Sequence, residues 1–179
     1  TCRPIKTHVL SKLFYKIIIR LLNSWGQANK TNLSKILLLQ KKALRLIHFA
    51  NKRDSALTFF VESNILPINF SYYESIVLLM YDVVHQNAPA NISNLFTFVS
   101  NVHSYNTRSS ASKNLYTQFS RTNMQKNSLS RVGVRLWNKI PEDLRKMPKI
   151  KFKKKLRSLL FNNLEKLGYN AEISNLDFS

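Results

Sequence analysis

The stretch Phe70-Ser71-Tyr72-Tyr73-Glu74-Ser75-Ile76-Val77-Leu78-Leu79-Met80-Tyr81-Asp82-Val83-Val84 decides the fold. Within it Ile76, Val77, Leu79, Met80, Val83 and Val84 recur at the three- and four-residue steps of a helix. No Lys or Arg occurs in the 54 residues between Arg53 and Arg108, so this helix is expected at the buried centre. Just upstream, Asn64-Ile65-Leu66-Pro67 breaks the chain, because proline lacks a backbone donor and restrains the residue before it. Before that break, Asp54-Ser55 starts a short helix through about Glu62. On the other side Asn87-Ala88-Pro89 ends the central helix, and residues 92–96 are expected to make one further turn.

Further out, the helical period persists towards the N-terminus. Val9, Leu10, Leu13, Phe14, Ile17, Ile18 and Leu21 form an apolar stripe over residues 8–22, opposite His8, Lys12, Lys16 and Arg20. Trp25-Gly26 ends that amphipathic helix. Asn32 is the expected N-cap of a second helix, over residues 33–49, with Ile36, Leu37, Leu44 and Ile47 on its core side. Lys41, Arg45, His48 and Lys52 follow one another at three- and four-residue steps along it.

Past residue 100 the texture changes. Residues 100–112 are rich in Ser and Asn and are expected as loop. Residues 115–119 alternate with strand period, Arg121-Thr122-Asn123 suits a turn, and residues 128–134 suit a second strand. Pro141-Glu142-Asp143 opens a short helix ending before Pro148. The last helix, residues 150–167, places Phe152, Leu156, Leu159, Leu160, Leu164 and Leu167 inward, and Gly168 stops it ahead of a frayed tail. The expected fold is mainly α, a multi-helix domain with a small β-hairpin near residues 114–134.

Charge points to the partner. The 179 residues carry 28 Lys and Arg against 9 Asp and Glu, a formal net charge of +19. Self-repulsion at that level destabilises a compact state unless a partner supplies negative charge, as nucleic acid or an anionic surface would. Fifteen of the cations lie between Arg108 and Arg157, against only Glu142 and Asp143. Lys149, Lys151, Lys153 and Lys154 crowd the first turn of the last helix, where the macrodipole disfavours cations by ~0.3–1 kcal/mol each. A phosphate backbone turns that cost into a gain through counterion release; a merely solvated lysine face is the competing reading. Aromatic residues lie among the cations: Tyr105 near Arg108, Tyr116 and Phe119 near Arg121, Trp137 near Arg135. Such interleaving suits base stacking, although Trp137 between Leu136 and Ile140 suits a core anchor better. The candidate nucleic-acid contacts are Lys41, Arg45, Lys52, Arg108, Arg121, Lys126, Arg131, Arg135, Lys151, Lys154 and Lys155.

Catalytic constellations are missing from the sequence. No Asp-Asp or Asp-x-Asp pair exists to hold two metal ions, and Tyr81-Asp82-Val83 lacks the second carboxylate of a polymerase metal motif. Glycine-rich phosphate loops and nucleophile elbows do not occur. Cys2 is the single cysteine, which excludes an internal disulfide or thiolate zinc site, and no two histidines have helical metal-site spacing. No cofactor is expected in this chain, no apolar run is long enough to span a membrane, and an intracellular, nuclear or cytoplasmic, location is expected. The start, Thr1-Cys2-Arg3-Pro4, lacks a secretory signal and an initiator Met, so a piece of a longer protein is expected.

Several stretches in order carry a family resemblance. They are Trp25-Gly26 with Thr31-Asn32-Leu33; Leu39-Gln40-Lys41-Lys42-Ala43-Leu44-Arg45-Leu46-Ile47; Ile65-Leu66-Pro67; and Met80-Tyr81. Then follow His103-Ser104-Tyr105-Asn106-Thr107-Arg108; Arg121-Thr122-Asn123; Gly133 with Leu136-Trp137-Asn138-Lys139-Ile140-Pro141; and Phe152-Lys153-Lys154-Lys155-Leu156. The chain resembles the C-terminal region of the reverse transcriptase of non-LTR retrotransposons, of the jockey- and CR1/L2-like kind. It departs at Asn23-Ser24, where relatives tend to carry Tyr-Gly. The resemblance implies a region downstream of the polymerase palm, without its catalytic carboxylates, that grips RNA or DNA beside the upstream polymerase domain of the same polypeptide. It implies thumb-end helices over residues 1–52, an apolar core over 53–100, and a basic subdomain over 101–179, separate from 53–100 or one folded unit with it. Two other classes compete: a membrane-surface protein using the basic amphipathic helix of residues 8–22, and an inert scaffold packing on the polymerase.

Overall fold

Helix ends shape this chain as much as helix bodies do. The computed structural model describes residues 30–102, 113–169 and 171–178. Among these it is mainly helical: α1 (Lys30–Ile47), α2 (Ala56–Glu62), α3 (Ile68–Val84), α4 (Ala90–Ser93), α5 (Asn123–Lys126), α6 (Leu129–Lys139), α7 (Glu142–Arg145) and α8 (Lys149–Leu167). Glycine is scarce, so other residues take the left-handed position after a helix. Phe49, Asn64 and Gln86 do so with φ near +55°, at 53°, 52° and 59°. Behind each, the next N–H closes back five residues: Ala50 to the carbonyl of Arg45, Ile65 to Phe60, Asn87 to Asp82. Only α8 ends on glycine, with Gly168 at φ 70° and its N–H on the Leu164 carbonyl.

The chain divides into two compact units. One takes the described residues up to Tyr73 together with Leu160–Ala171; the other takes Glu74–Leu159 and the residues from Glu172 onward. The division therefore falls inside α3 and α8.

In the first unit Leu37, Leu44, Phe60, Leu66, Ile68, Phe70, Leu160 and Leu164 are buried. Buried Gln40 of α1 caps α3: its Oε1 accepts the Ile68 N–H at 2.8 Å, a donor that a helix start leaves without a partner. Ser55 caps α2, its hydroxyl accepting from Leu57 N–H. The expected cap at Asn32 is corrected: α1 already includes Lys30, so Asn32 lies inside the helix, and α1 stops at Ile47 because Phe49 turns left-handed.

In the second unit α3 supplies Ile76, Val77, Met80 and Val83 to the core, as their spacing predicts; Tyr81 joins them, while Leu79 and Val84 are half-buried. Trp137, fully buried, packs with Tyr81 and Phe152, ring centroids 6.4 and 6.2 Å away. The close approach of α6 to α3 needs Gly133, since a Cβ there would lie 2.6 Å from Met80 Sδ.

The expected hairpin over residues 114–134 does not form. Residues 128–134 belong to a helix turn and α6, because the buried set Val132, Gly133, Leu136, Trp137 and Ile140 steps by one and three. A window ending at Val134 hides that period behind two β-branched valines. The described residues contain no strand, only an isolated antiparallel bridge between Phe98 and Leu115. Around it, Tyr116 N–H donates to Thr97 and Val99 N–H to Asn114. Leu115 turns its own backbone the other way, onto the Asn138 amide: its N–H donates to Oδ1 at 3.0 Å, and its carbonyl accepts from Nδ2 at 2.8 Å. A side chain thus takes the place of a second strand.

The tail is held rather than frayed. Leu176 and Phe178 are buried, and Lys139 Nζ donates to the carbonyls of Ser174 and Leu176.

Arg145 ties these pieces together. Only 8% exposed, it donates from Nε to the Ile140 carbonyl (2.8 Å), from Nη1 to Asn114 Oδ1 (2.8 Å) and from Nη2 to the Asn138 carbonyl (3.2 Å), with Trp137 beneath it at 5.4 Å. Burial lowers its pKa, and the Glu142 carboxylate pushes back. Arg145→Met is expected to cost about 3 kcal/mol in the denaturant midpoint, because the acceptors of a charged donor lose their partner. Arg145→Lys should recover less than half, since an ammonium cannot match the three directions of the fork. A loss under ~1 kcal/mol for Met would disprove this role.

Candidate nucleic-acid interface

Packing sorts the cations. In the first unit Lys41 is half-buried with Nζ 3.6 Å above the Tyr169 ring centroid; burial lowers its pKa and Arg45 adds to that. Arg45 donates from Nε to the Asp54 carbonyl at 2.9 Å. His48 stacks on Phe59 and meets Ser63 Oγ at 2.9 Å. Of the series Lys41, Arg45, His48 and Lys52, only Lys52 stands exposed. Arg108, Tyr105 and the amphipathic helix of residues 8–22 lie outside the described residues.

In the second unit several cations serve the fold. Lys149 grips Asp82 at 2.6 Å, Lys146 pairs with Glu142 at 2.7 Å, and Arg157 reaches the buried Glu74 at 3.2 Å. The Asp82 of Tyr81-Asp82-Val83 is therefore a salt-bridge partner. Among the described residues no group of three or more His, Cys, Asp or Glu could hold a metal ion. Arg131 is half-buried and donates from Nη2 to the Phe119 carbonyl (3.0 Å) and Gln118 Oε1 (3.3 Å).

Lys113, Arg121, Lys126, Arg135, Lys151, Lys153, Lys154 and Lys155 remain exposed, and none forms an ion pair with another described residue. On α8 the helical repeat gathers Lys151, Lys154 and Lys155 on one face while Phe152, Leu156 and Leu159 are buried on the other. The first turn of α8 holds no acidic residue. Arg131 and Arg135 lie one turn apart on α6, Arg121 precedes α5, and Lys126 is the last residue of α5.

The candidate contacts read from the sequence include Lys41, Arg45 and Arg131, whose donors are engaged inside the fold, and leave out Arg145 and Lys149, which reach Asn114 and Asp82 at 31 and 67 residues away. The Glu142–Lys146 pair lies at helical spacing. No helix among the described residues is long and apolar enough to cross a membrane. Comparison with protein-family models, curated proteins and solved structures finds no match.

Lys151, Lys154 and Lys155, changed together to Glu, are expected to weaken nucleic-acid binding by about tenfold or more and to keep the fold, since carboxylates suit a helix N-terminus. Lys35, Lys42 and Arg53, all exposed in the first unit, give a control of equal charge change. Equal losses in a filter-binding titration would mean that the positive charge is diffuse and α8 is no special surface.

Proposed function

We propose that this chain is a nucleic-acid-binding region of a retrotransposon RNA-directed DNA polymerase, contributing grip and not chemistry. The observation that carries the reading is the set of exposed Lys and Arg of the second unit, without ion pairs among the described residues, where Asp82, Glu142 and Glu74 are already taken by other cations. Such a surface lowers its self-repulsion when it binds phosphates, whose condensed counterions are released into solution. The polymerase assignment rests on the ordered resemblance from Trp25-Gly26 to Phe152-Lys153-Lys154-Lys155-Leu156. On this reading RNA or DNA is the ligand, the catalytic carboxylates lie on the upstream polymerase domain, and the chain works where element RNA and target DNA meet, in nucleus or cytoplasm.

Salt dependence tests the binding mode. With phosphate contacts dominant, log affinity should fall linearly with log salt, by ~0.7 per single-strand phosphate neutralised, and a slope of about 3 or steeper is expected. A flat dependence, or no binding at low salt, removes nucleic acid as the partner. The same primer-template, given Mg²⁺ and dNTPs, should gain no nucleotide from the purified chain; extension would overturn the division of labour.

A further inference from the structure

Phe119 is 88% exposed and Met124 87% exposed, in a unit whose other aromatic anchors, Tyr81, Trp137 and Phe152, are buried. A phenyl ring standing in water forgoes most of its burial free energy. It is not on a loose end. Four residues before it, Leu115 is fixed by the bridge to Phe98 and by both ends of the Asn138 amide. The Phe119 carbonyl itself is held by Arg131, and three residues on, Thr122 caps α5 by accepting the Gln125 N–H. The ring is thus presented on a backbone fastened on either side.

Its neighbours in sequence are cationic. From Lys113 to Pro141 there is no Asp or Glu, while Lys113, Arg121, Lys126, Arg131, Arg135 and Lys139 fall in that span. Arg121, Lys126 and Arg135 are exposed. Arg135 sits one helical turn beyond Arg131, the residue that grips the Phe119 carbonyl. An apolar partner protein would gain nothing from these charges. An unpaired nucleotide uses both features, offering a π-face to the ring and phosphates to the cations, and every base has such a face. In a duplex those faces are already stacked on one another.

We propose that Phe119 is a stacking platform for an unpaired base of a single strand, with Arg121, Lys126 and Arg135 contacting the flanking phosphates. This rests on the reading of the second unit as nucleic-acid-binding and adds that its ligand is single-stranded at this point. Arg131 acts as a positioning residue, setting the backbone that carries the ring.

The full chain is titrated with a deoxythymidine oligonucleotide, a uridine oligonucleotide of the same length, and a blunt DNA duplex of equal phosphate number. Phe119→Ala is expected to weaken single-strand binding about tenfold, which is ~1.4 kcal/mol and within the range for one stacked base. Its salt slope and its duplex affinity should stay at wild-type values, because no charge has changed. Phe119→Leu, which keeps apolar surface without a ring, should lose as much, and Phe119→Tyr should bind like the wild type. A Phe119→Trp variant should show indole fluorescence quenched by the oligonucleotide beyond any change in wild type, whose Trp137 is buried. Wild-type affinity in Phe119→Leu, or an unquenched Phe119→Trp at saturation, overturns the platform while leaving the binding reading intact. A wild-type chain that binds none of the three ligands overturns both.

Discussion

A buried guanidinium governs the second unit. Taking Arg145 out of water costs several kcal/mol unless its donors are satisfied, and here satisfying them organises the chain. Its three bonds draw together the end of α6, the turn after it and Asn114. Asn138, whose carbonyl Arg145 holds, uses its own side chain to clasp Leu115. Leu115 in turn pairs with Phe98. An irregular segment is thereby fixed against helices without a sheet, and no open strand edge is left for another chain to extend.

The same residue type therefore does two opposed jobs. Arg145, Arg131, Lys139 and Lys149 spend their donors on carbonyls or carboxylates inside the unit, and each such contact is a structural constraint. Lys151, Lys153, Lys154 and Lys155 spend none on described residues and sit on the first turns of α8, the end of a helix that repels them. An acid at one of those positions would stabilise the isolated fold at no packing cost. As lysines they cost the isolated fold stability, and a bound anion would offset that cost.

What sequence could reveal follows from the range of the interactions. Helical stripes are local, so α3 and α8 were legible to within two residues, and the buried Trp137 could be inferred from its apolar neighbours. The break at Pro67 was equally plain, but the side chain that caps the next helix, Gln40, lies 28 residues earlier and gave no sign. The hairpin failed because Val132 and Val134 imitate strand alternation in a short window, whereas Leu136, Trp137 and Ile140 reveal the helix. For the site, the surplus of cations was legible and their sorting was not. Lys41 lies over a ring 128 positions away, and such a contact leaves no local trace. The exposure of Phe119 was likewise invisible, since an aromatic beside cations looks the same whether it anchors a core or faces solvent.

The residues that carry the family resemblance divide along the same line. Gly133 lets α6 approach Met80, Trp137 fills the core, Asn138 replaces a strand, and Tyr81 donates to the Met147 carbonyl at 2.8 Å. All of these are framework, and each is constrained by a specific neighbour. Of the last stretch, Phe152 and Leu156 are framework too, while Lys153, Lys154 and Lys155 between them touch solvent. Exposed cations and framework are thus interleaved on α8 at the period of the helix and remain physically separable. The buried face can hold the fold through any change of charge opposite it, and the exposed face can be tuned to a phosphate backbone without disturbing the core.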